Sequence, residues 1–369
     1  HLRPDPEAVK AIPGNEYKMI NRYKVDWEKK WEKVRRALEK DSIANVEKLL
    51  GLIGKERLCI ILVDFSDSVN WGGNTADTYA YMFLGVDSAS AWNWLSDSTY
   101  VGCLNHYYWE ASYHQLSWGG QVVRAHAPQA YTYYGQLIWF VWYNDLYVVK
   151  DNISGEDTIP SLLNECTGDV DPYIDFTQYD QDGDGYCDHL FIVHTGLSEQ
   201  QSWNIDAIAT TKWSGVEDNA DSRDGIDFDG FIIMSYSEGI GTACHECFHD
   251  LGAPDLYDYG YHGNPVGEWC LMDLGCFNGG ERHPSFPCAL LRWDVNLDPG
   301  DGITGWLSNI DGMVGYDMIG EPVAEGKYLV IASAIDSSRY RTTPRVYFLR
   351  NDTFTSRDEY FVLENRARI

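Results

Sequence analysis

Residues 245–255 read His-Glu-Cys-Phe-His-Asp-Leu-Gly-Ala-Pro-Asp. His245 and His249 stand four residues apart, so on a helix they share one face about one turn apart. That is the geometry in which two imidazoles hold one zinc ion. Glu246 points off this pair and can reach a water on the metal. The spacing therefore predicts a zinc-binding helix with a carboxylate base beside it.

The sequence also predicts where this helix ends. Gly252 accepts the left-handed conformation that ends a helix, and Pro254 cannot continue one. We expect the following turn to return Asp255 to the metal as a third ligand, which leaves a fourth position for water, as in catalytic zinc sites. The alternative is a chance His-Glu-x-x-His on a core helix, and Gly252 and Asp255 at their offsets argue against it.

Residues 245–258, together with Val-Gly-Glu-Trp-Cys-Leu-Met-Asp-Leu-Gly at 266–275, resemble the immune-inhibitor-A-type zinc metallopeptidases of the metzincin group. The resemblance implies an α/β (α+β) protease domain with a mixed twisted sheet, a backing helix, an active-site helix and a methionine turn under the metal. It also implies a role for five residues: His245, His249 and Asp255 as zinc ligands, Glu246 as general base and Met272 as the turn methionine.

Two other carboxylates compete for the third-ligand position. Glu268 lies 19 residues after His249, near the spacing of thermolysin-like enzymes, but Met272 occupies the place of the Asp that accompanies such a Glu. Asp258 is in reach as a calcium ligand or as a partner of a zinc ligand. No oxyanion-stabilising residue is assigned, because Leu274 stands where astacin-like enzymes carry a tyrosine, although three tyrosines follow the motif nearby: Tyr257, Tyr259 and Tyr261.

A second stretch with metal chemistry is Asp-Gln-Asp-Gly-Asp-Gly-Tyr-Cys-Asp at 180–188. Its carboxylates stand at positions 1, 3, 5 and 9 of a calcium loop: Asp180, Asp182, Asp184 and Asp188. Position 12, where an EF-hand has Glu, is Phe191, and an apolar strand follows in place of a helix. We therefore expect a calcium turn at a strand entrance, completed by other ligands, with a metal-free acidic hairpin as the alternative. The resembled family carries a similar turn before a His-x-Gly loop, here at 194–196.

The overall charge restricts the partners. The chain carries a formal net charge of −28, which argues against nucleic acids and anionic membranes. No run of 18 apolar residues occurs, so we expect no membrane span. The sequence starts at His1, which is consistent with a removed signal peptide or a fragment. The acidic composition fits a secreted protein in a calcium-rich setting, which we expect here, although an acidic cytosolic protein would have the same composition. The nine cysteines leave the redox compartment open.

Three domains or segments are expected. Residues 1–54 are predicted to be a helical segment with an apolar stripe of Trp27, Trp31, Val34 and Leu38. Residues 1–57 hold 14 Lys and Arg against 10 Asp and Glu, a net +4 before a strongly acidic body, which is consistent with electrostatic docking on that body or with a solvated helix. The resemblance to the family implies an intramolecular pro-segment here, with an ordinary packed helix as the alternative. Residues 55–255 form the subdomain with the calcium turn and zinc helix. Residues 256–369 form a β-rich subdomain with the methionine turn, expected to be truncated.

Patterns between the motifs predict the remaining elements. Residues 58–63 are continuously apolar and suit a buried strand. Residues 105–113 resemble a family helix leading into a strand, their aromatic density favouring core packing over sugar binding. Residues 133–149 have the length of a long backing helix. Residues 230–234 are predicted to form a strand that binds extended peptide along the cleft. Residues 328–332 and 360–363 are strand-like.

These expectations converge on one function. The sequence predicts a secreted zinc metalloendopeptidase, made as a zymogen, that hydrolyses protein or peptide substrates through a zinc-activated water with Glu246 as base; Zn²⁺ and Ca²⁺ are its expected cofactors. A non-catalytic, calcium-stabilised surface module with a vestigial zinc site is the alternative. Zinc hydrolysis of a non-peptide bond is a further one.

Overall fold

The computed structural model describes residues 53–86, 102–135, 139–143, 146–150, 158–202, 207–214, 221–258, 263–295, 305–307, 314–317, 346–350 and 360–364. The predicted helical segment 1–54 lies outside this range except for its last two residues, as does the predicted strand at 328–332. The division at residue 255 into two subdomains stays a prediction.

A five-stranded mixed sheet organises the described chain, with the strand order β2-β1-β5-β7-β6. Its strands are β1 (Gly54–Phe65), β2 (Leu116–Ala127), β5 (Leu190–His194), β6 (Thr211–Ser214) and β7 (Gly230–Ser235). All neighbours pair in parallel except β6, which runs antiparallel to β7. The expected mixed α/β architecture is confirmed.

Helices cover both faces of the sheet. They are α1 (Ala76–Leu84), α2 (Leu104–Ala111), α3 (Tyr131–Gly135), α4 (Thr158–Val170), α5 (Glu199–Ser202), α6 (Ile240–Asp250), α7 (Asn278–Glu281) and α8 (Ala289–Trp293). Smaller sheets join β3 (Trp139–Tyr143) to β4 (Leu146–Lys150), and β8 (Val314–Asp317), β9 (Val346–Arg350) and β10 (Tyr360–Glu364) in the order β10-β9-β8. No described helix has the length and apolar character needed to cross a membrane.

The apolar run 58–63 is buried on both faces, as predicted. Leu58, Ile60 and Leu62 belong to one core cluster, whereas the residues between them belong to the other. Because side chains alternate across a strand, a continuous apolar run is what a strand covered on both faces requires. The first cluster also receives the apolar side of α6, so the sheet supports the helix with the His pair.

The aromatic stretch 105–113 is core, as expected. It forms α2 and leads through a turn into β2. Tyr107, Tyr108 and Tyr113 are buried, and the Tyr108 hydroxyl donates a 2.6 Å hydrogen bond to the carbonyl of Cys244 in α6. These rings pack the helix against the sheet and do not form an exposed sugar-binding face.

The expected helix at 133–149 is wrong. Among the described residues of this stretch only those of α3 are helical, and β3 and β4 form an antiparallel pair. Aromatic and β-branched residues dominate both strands, and Asn144 and Asp145, types common in two-residue hairpin turns, separate them. The helix that backs the sheet is α4, whose Leu162, Cys166 and Val170 lie in the second core cluster.

The expected peptide-binding role of residues 230–234 is also wrong. These residues do form a strand, β7, but β5 pairs with one of its edges and β6 with the other. Neighbouring strands thus occupy both edges of β7 over most of its length, which leaves no free edge for a peptide strand along it. The sheet ends at β6 on this side, so the edge strand is the one that an extended peptide could join.

Candidate metal centre

The helix α6 carries the His-Glu-x-x-His motif, and a residue distant in sequence caps its start. The carboxylate of Glu281 accepts hydrogen bonds from the Gly239 amide at 2.6 Å and from the Thr242 hydroxyl at 2.8 Å. A negative group at this position satisfies free helix amides and complements the helix dipole. Gly241 packs so closely that a Cβ atom there would collide with the carbonyl oxygen of Cys276.

The end of α6 turns the chain back, as predicted. Gly252 has a φ of 108°, its amide donates to the carbonyl of His249, and the Ala253 amide donates to the carbonyl of Phe248. These two bonds are the Schellman arrangement, which closes a helix on a left-handed residue. The Leu256 amide then donates to the Met272 carbonyl at 2.8 Å, which fixes the returning segment on the methionine turn.

Three predicted ligand atoms meet at one point. The Asp255 Oδ1 atom lies 3.0 Å from the Nε2 atom of His245 and 3.0 Å from that of His249, and the two Nε2 atoms are 3.2 Å apart. Ligands about 2.0–2.2 Å from a tetrahedral zinc ion stand roughly 3.3–3.5 Å from one another. The three atoms are therefore only a few tenths of an ångström closer to one another than tetrahedral zinc ligands are. They form a group that fits one small cation.

The other nitrogen of each imidazole is already engaged. His245 Nδ1 donates to the carbonyl of Leu271 at 2.9 Å, and His249 Nδ1 donates to the carbonyl of Ala253 at 2.8 Å. In the neutral rings both Nε2 atoms are then acceptors, directed at a carboxylate oxygen that is also an acceptor. Backbone carbonyls behind metal-bound imidazoles set the tautomer in this way.

Hydrogen bonds alone account poorly for this group. They would require both rings to be cations, with N–H groups 3.2 Å apart, and like charges this close repel. The two imidazole nitrogens and the Asp255 carboxylate oxygen are instead a donor set that suits zinc.

Glu246 lies on the same helix and is 8% exposed. Its Oε2 atom is buried, and no hydrogen-bond partner for it exists among the described residues. A buried carboxylate oxygen without a partner is rare in folded proteins and is expected at a site that accepts a ligand or water. Its placement is compatible with the predicted base.

The structure also locates the other residues that the sequence suggested for this site. Met272 is fully buried in the core cluster that supports α6. Glu268 is exposed and lies outside the ligand group, so the structure brings Asp255 and not Glu268 to the two histidines. Tyr257 stacks on His245, with the ring centroids 6.4 Å apart. Tyr259 and Tyr261 lie outside the described residues.

Sequence reasoning missed a buried charge network behind the metal group. The Asp250 carboxylate, next to His249, accepts a 2.6 Å hydrogen bond from His189 Nδ1 and is paired with the Lys212 ammonium. Glu56 lies 3.9 Å from the other side of the His189 ring. This network ties the last residue of α6 to β1, to β6 and to the entrance of β5. No local pattern predicts it, because its members are far apart in sequence.

The acidic turn 180–188 precedes that same His189. Carboxylate oxygens of Asp180, Asp182 and Asp188 lie within 4.8 Å of one another. Asp184 is not in this group; its carboxylate accepts the Tyr186 amide at 3.0 Å. Asp180 accepts backbone amides of the turn, including Gly183 at 2.8 Å. The turn therefore brings together three of the four residues predicted to hold calcium.

Comparison with known proteins agrees with this site. The family model for the immune inhibitor A peptidase M6 catalytic domain matches residues 45–296. Immune inhibitor A of Bacillus thuringiensis subsp. alesti is 31% identical over 134 residues, which cover 30% of this chain and 19% of that protein. The pre-pro-metalloprotease PrtV of Vibrio cholerae serotype O1 (strain M66-2) is 26% identical over 172 residues, which cover 39% of this chain and 18% of that protein.

The match spans less than a fifth of the length of each of these curated relatives. The family model, in contrast, covers more than half of the 369 residues and includes β1, the acidic turn, α6 and the methionine turn. On that match, the chain belongs to the family of immune inhibitor A peptidase M6 catalytic domains.

Proposed function

We propose that the protein is a zinc-dependent metalloendopeptidase in which His245, His249 and Asp255 hold the zinc ion. One observation carries this proposal: two imidazole nitrogens and one carboxylate oxygen lie about 3 Å apart, and backbone carbonyls orient both imidazoles. Family membership supports peptide hydrolysis over hydrolysis of other bonds. A zinc ion held by these residues would supply Lewis-acid chemistry to the scissile carbonyl and to the attacking water.

The chain's own residues supply the remaining chemistry. Glu246 takes the proton from the attacking water and delivers it to the leaving amine. Asp255 contributes negative charge to the site. The carbonyls of Leu271 and Ala253 hold the two imidazoles so that their Nε2 atoms face the metal position. Cys244, Cys247 and Phe248 bury the opposite side of α6 in the core, which gives the histidines a rigid support.

A peptide substrate can add to the sheet at β6. This strand is the sheet edge beside α6, and Lys212 links it to Asp250 at the end of that helix. An extended peptide on the outer edge of β6 would gain backbone hydrogen bonds, as in other β-augmentation complexes. The edge strand β6 thus takes the peptide-binding role that was predicted for β7.

We further propose that the acidic turn binds calcium and that the protein acts outside the cell. Three carboxylates within 4.8 Å of one another repel unless a cation neutralises them, and calcium prefers such oxygen ligands. Extracellular calcium is abundant, and the net charge of −28 suits that setting. The basic N-terminal residues 1–54 are proposed as a pro-segment, for which loss of inhibition in a chain that starts near Lys55 is the test.

The test of the proposed reaction is the variant Glu246→Ala, assayed on casein with zinc content measured in parallel. We expect about one zinc ion per chain and a loss of activity of about 10³-fold, because the proton acceptor is gone while the ligands remain. Glu268→Ala is the matched control, since this exposed carboxylate lies nearby but outside the ligand group.

The outcomes separate the candidate functions. Retained activity in Glu246→Ala would show that Glu246 is not the base. Absence of casein cleavage in the zinc-loaded wild type would favour the non-catalytic binding module, and loss of zinc in Glu268→Ala would return Glu268 to the ligand set. Inhibition of the wild type by 1,10-phenanthroline supports the metal dependence of any cleavage observed.

A further inference from the structure

Two cysteines adjoin the methionine turn from opposite ends of a chain segment. Cys270 is fully buried and begins the turn, two residues before Met272. Cys288 is half-buried and is the N-cap residue of α8. Both are in the reduced thiol form in this structure. The segment between them, 271–287, contains the whole methionine turn.

The two residues are in contact. The backbone amide of Cys288 donates a hydrogen bond to the Sγ atom of Cys270 at 3.2 Å. The pKa of the Cys270 thiol is raised, first by its hydrogen bond with the Cys288 thiol and then by burial. The backbone of Cys288 therefore lies within hydrogen-bonding distance of the Cys270 sulfur, and such closeness of two cysteines is the main geometric requirement for a disulfide.

The surroundings hold this pair in register. The Ser285 amide donates to the Gly275 carbonyl at 3.0 Å, and the Gly275 amide donates to the Cys270 carbonyl at 3.0 Å. The Tyr107 hydroxyl donates to the Ser285 carbonyl at 2.7 Å, so α2 braces the same segment. Segment 285–288 thus runs beside the turn independently of the sulfur atoms.

Access also distinguishes the pair. All other cysteines of the chain are buried, whereas Cys288 is partly exposed. An oxidant in solution can therefore reach Cys288 without unfolding the core, and Cys270 is in contact behind it. Accessible cysteines react first with oxidants in solution, so Cys288 is the one of the pair that such an oxidant meets.

We propose that Cys270 and Cys288 form a disulfide that staples the methionine turn to the start of α8. The oxidant is a low-molecular-weight disulfide such as oxidised glutathione. The Cys288 thiolate attacks it, forming a mixed disulfide and releasing one thiol; the Cys270 thiolate then displaces the second thiol. Two protons and two electrons leave the cysteine pair, and the oxidised glutathione is reduced to two thiols.

The staple has a consequence for the metal group, which rests on the proposed function. Leu271 follows Cys270 directly, and its carbonyl orients His245. Met272 accepts the Leu256 amide next to the ligand Asp255. A disulfide at Cys270 would therefore fix the backbone that positions two of the three ligands and would make the metal group more rigid in an oxidising compartment.

The test is a thiol count on the full chain. The protein is incubated with oxidised glutathione or with dithiothreitol, denatured in the presence of iodoacetamide and weighed by mass spectrometry. We expect nine alkylated cysteines after reduction and two fewer after oxidation, with a cross-linked peptide that contains Cys270 and Cys288. The melting temperature should rise by several °C on oxidation.

Two variants sharpen the result. Cys288→Ser should lose both the cross-link and the oxidation-dependent melting shift, whereas Cys166→Ser, on the opposite face of the sheet, should keep both. Nine alkylated cysteines in the oxidised wild type, or a cross-link between other cysteines, would overturn the proposal. The count needs no enzymatic activity, so its failure is distinguishable from a failure of the proposed function.

Discussion

At the scale of single residues, the metal group depends as much on the atoms behind the ligands as on the ligands themselves. Leu271 and Ala253 contribute only carbonyl oxygens, yet these determine which nitrogen of His245 and His249 faces Asp255 and the proposed metal. Hydrogen bonds of this kind orient ligands and raise their basicity. Such roles belong to the backbone, and for that reason no side-chain motif reports them.

Asp250 is the residue behind the ligands whose replacement we expect to matter most for stability. In Asp250→Asn the Lys212 ammonium stays buried without its carboxylate, and His189 loses the same partner. Removing one member of a buried ion pair typically costs about 3–5 kcal/mol. Urea unfolding should show a loss of that size in the free energy of unfolding.

The matched control for Asp250→Asn is Asp221→Asn. Asp221 pairs with Arg223 at 3.8 Å, but its side chain is 76% exposed, so we expect almost no change. Equal effects of the two substitutions would contradict the view that burial makes the Asp250 network important.

Glu238 should make stability depend on pH. Burial raises the pKa of this carboxyl to about 7, although hydrogen bonds from Thr210, Ser198 and the Ser235 amide lower it; nearby Glu281 raises it further. A pKa raised in the folded state stabilises the protein fully below the unfolded value near 4.5, and that stabilisation is lost as the pH rises through 7. The loss amounts to about 3 kcal/mol.

Melting curves of the wild type and of Glu238→Gln between pH 5 and 8 test this. The neutral amide cannot ionise, so the difference in stability between the two proteins should change with pH in favour of the variant as the pH rises. Parallel pH profiles would show that Glu238 does not titrate in this range.

At the scale of elements, α6 is held at both ends by segments that follow it in sequence. The Glu281 carboxylate accepts a hydrogen bond from the backbone amide at the start of α6. The hydrogen bond from the Leu256 amide to the Met272 carbonyl fixes the chain just after the Schellman motif that ends the helix. Its apolar side packs on the sheet through the first core cluster. An isolated helix of this length is marginal in water, so tertiary contacts stabilise this one.

Gly241→Ala tests how closely α6 packs. In an exposed helix this substitution adds about 1 kcal/mol of stability. Here the new methyl group would collide with the Cys276 carbonyl, which is backbone and cannot rotate away. We expect a destabilisation of about 1–3 kcal/mol by denaturant unfolding.

Gly168→Ala in α4 is the control for Gly241→Ala. Its Cβ would meet only the end of the Arg223 side chain, at 2.9 Å, which can shift. This variant should be close to neutral or slightly stabilised. A stabilised Gly241→Ala protein would mean that the contact with Cys276 is looser than the structure indicates.

At the scale of the whole molecule, the two metal groups lie on opposite sides of one buried network. The acidic turn ends at Asp188, His189 follows it, and His189 contacts Asp250 beside the ligand His249. The proposed cations would therefore stabilise the same folded unit. A ligand that binds only the folded state, at about 1,000 times its Kd, adds about 4 kcal/mol.

Metal removal should show two separable effects. We expect 1,10-phenanthroline to lower the melting temperature of the wild type but not that of Asp255→Ala, which lacks one proposed zinc ligand. We expect EGTA, which prefers calcium, to lower that of the wild type but not that of Asp182→Ala. Identical responses of the wild type and a variant would remove the corresponding metal from the proposal.

The sequence by itself determined the parts of this protein that depend on near neighbours. The four-residue spacing of His245 and His249, the Gly252 stop and the strand at 58–63 follow from helix and strand periodicity, and the structure contains each of them. The same reasoning failed at 133–149, because an apolar run does not distinguish a helix from a hairpin until its neighbours decide.

Only the tertiary structure decided which distant groups meet. It placed the Leu271 carbonyl behind His245, Glu281 at the start of α6, and β6 outside β7 at the sheet edge. These contacts join residues tens of positions apart. They arise because packing both faces of the sheet fixes where each loop returns, and no local periodicity records that outcome.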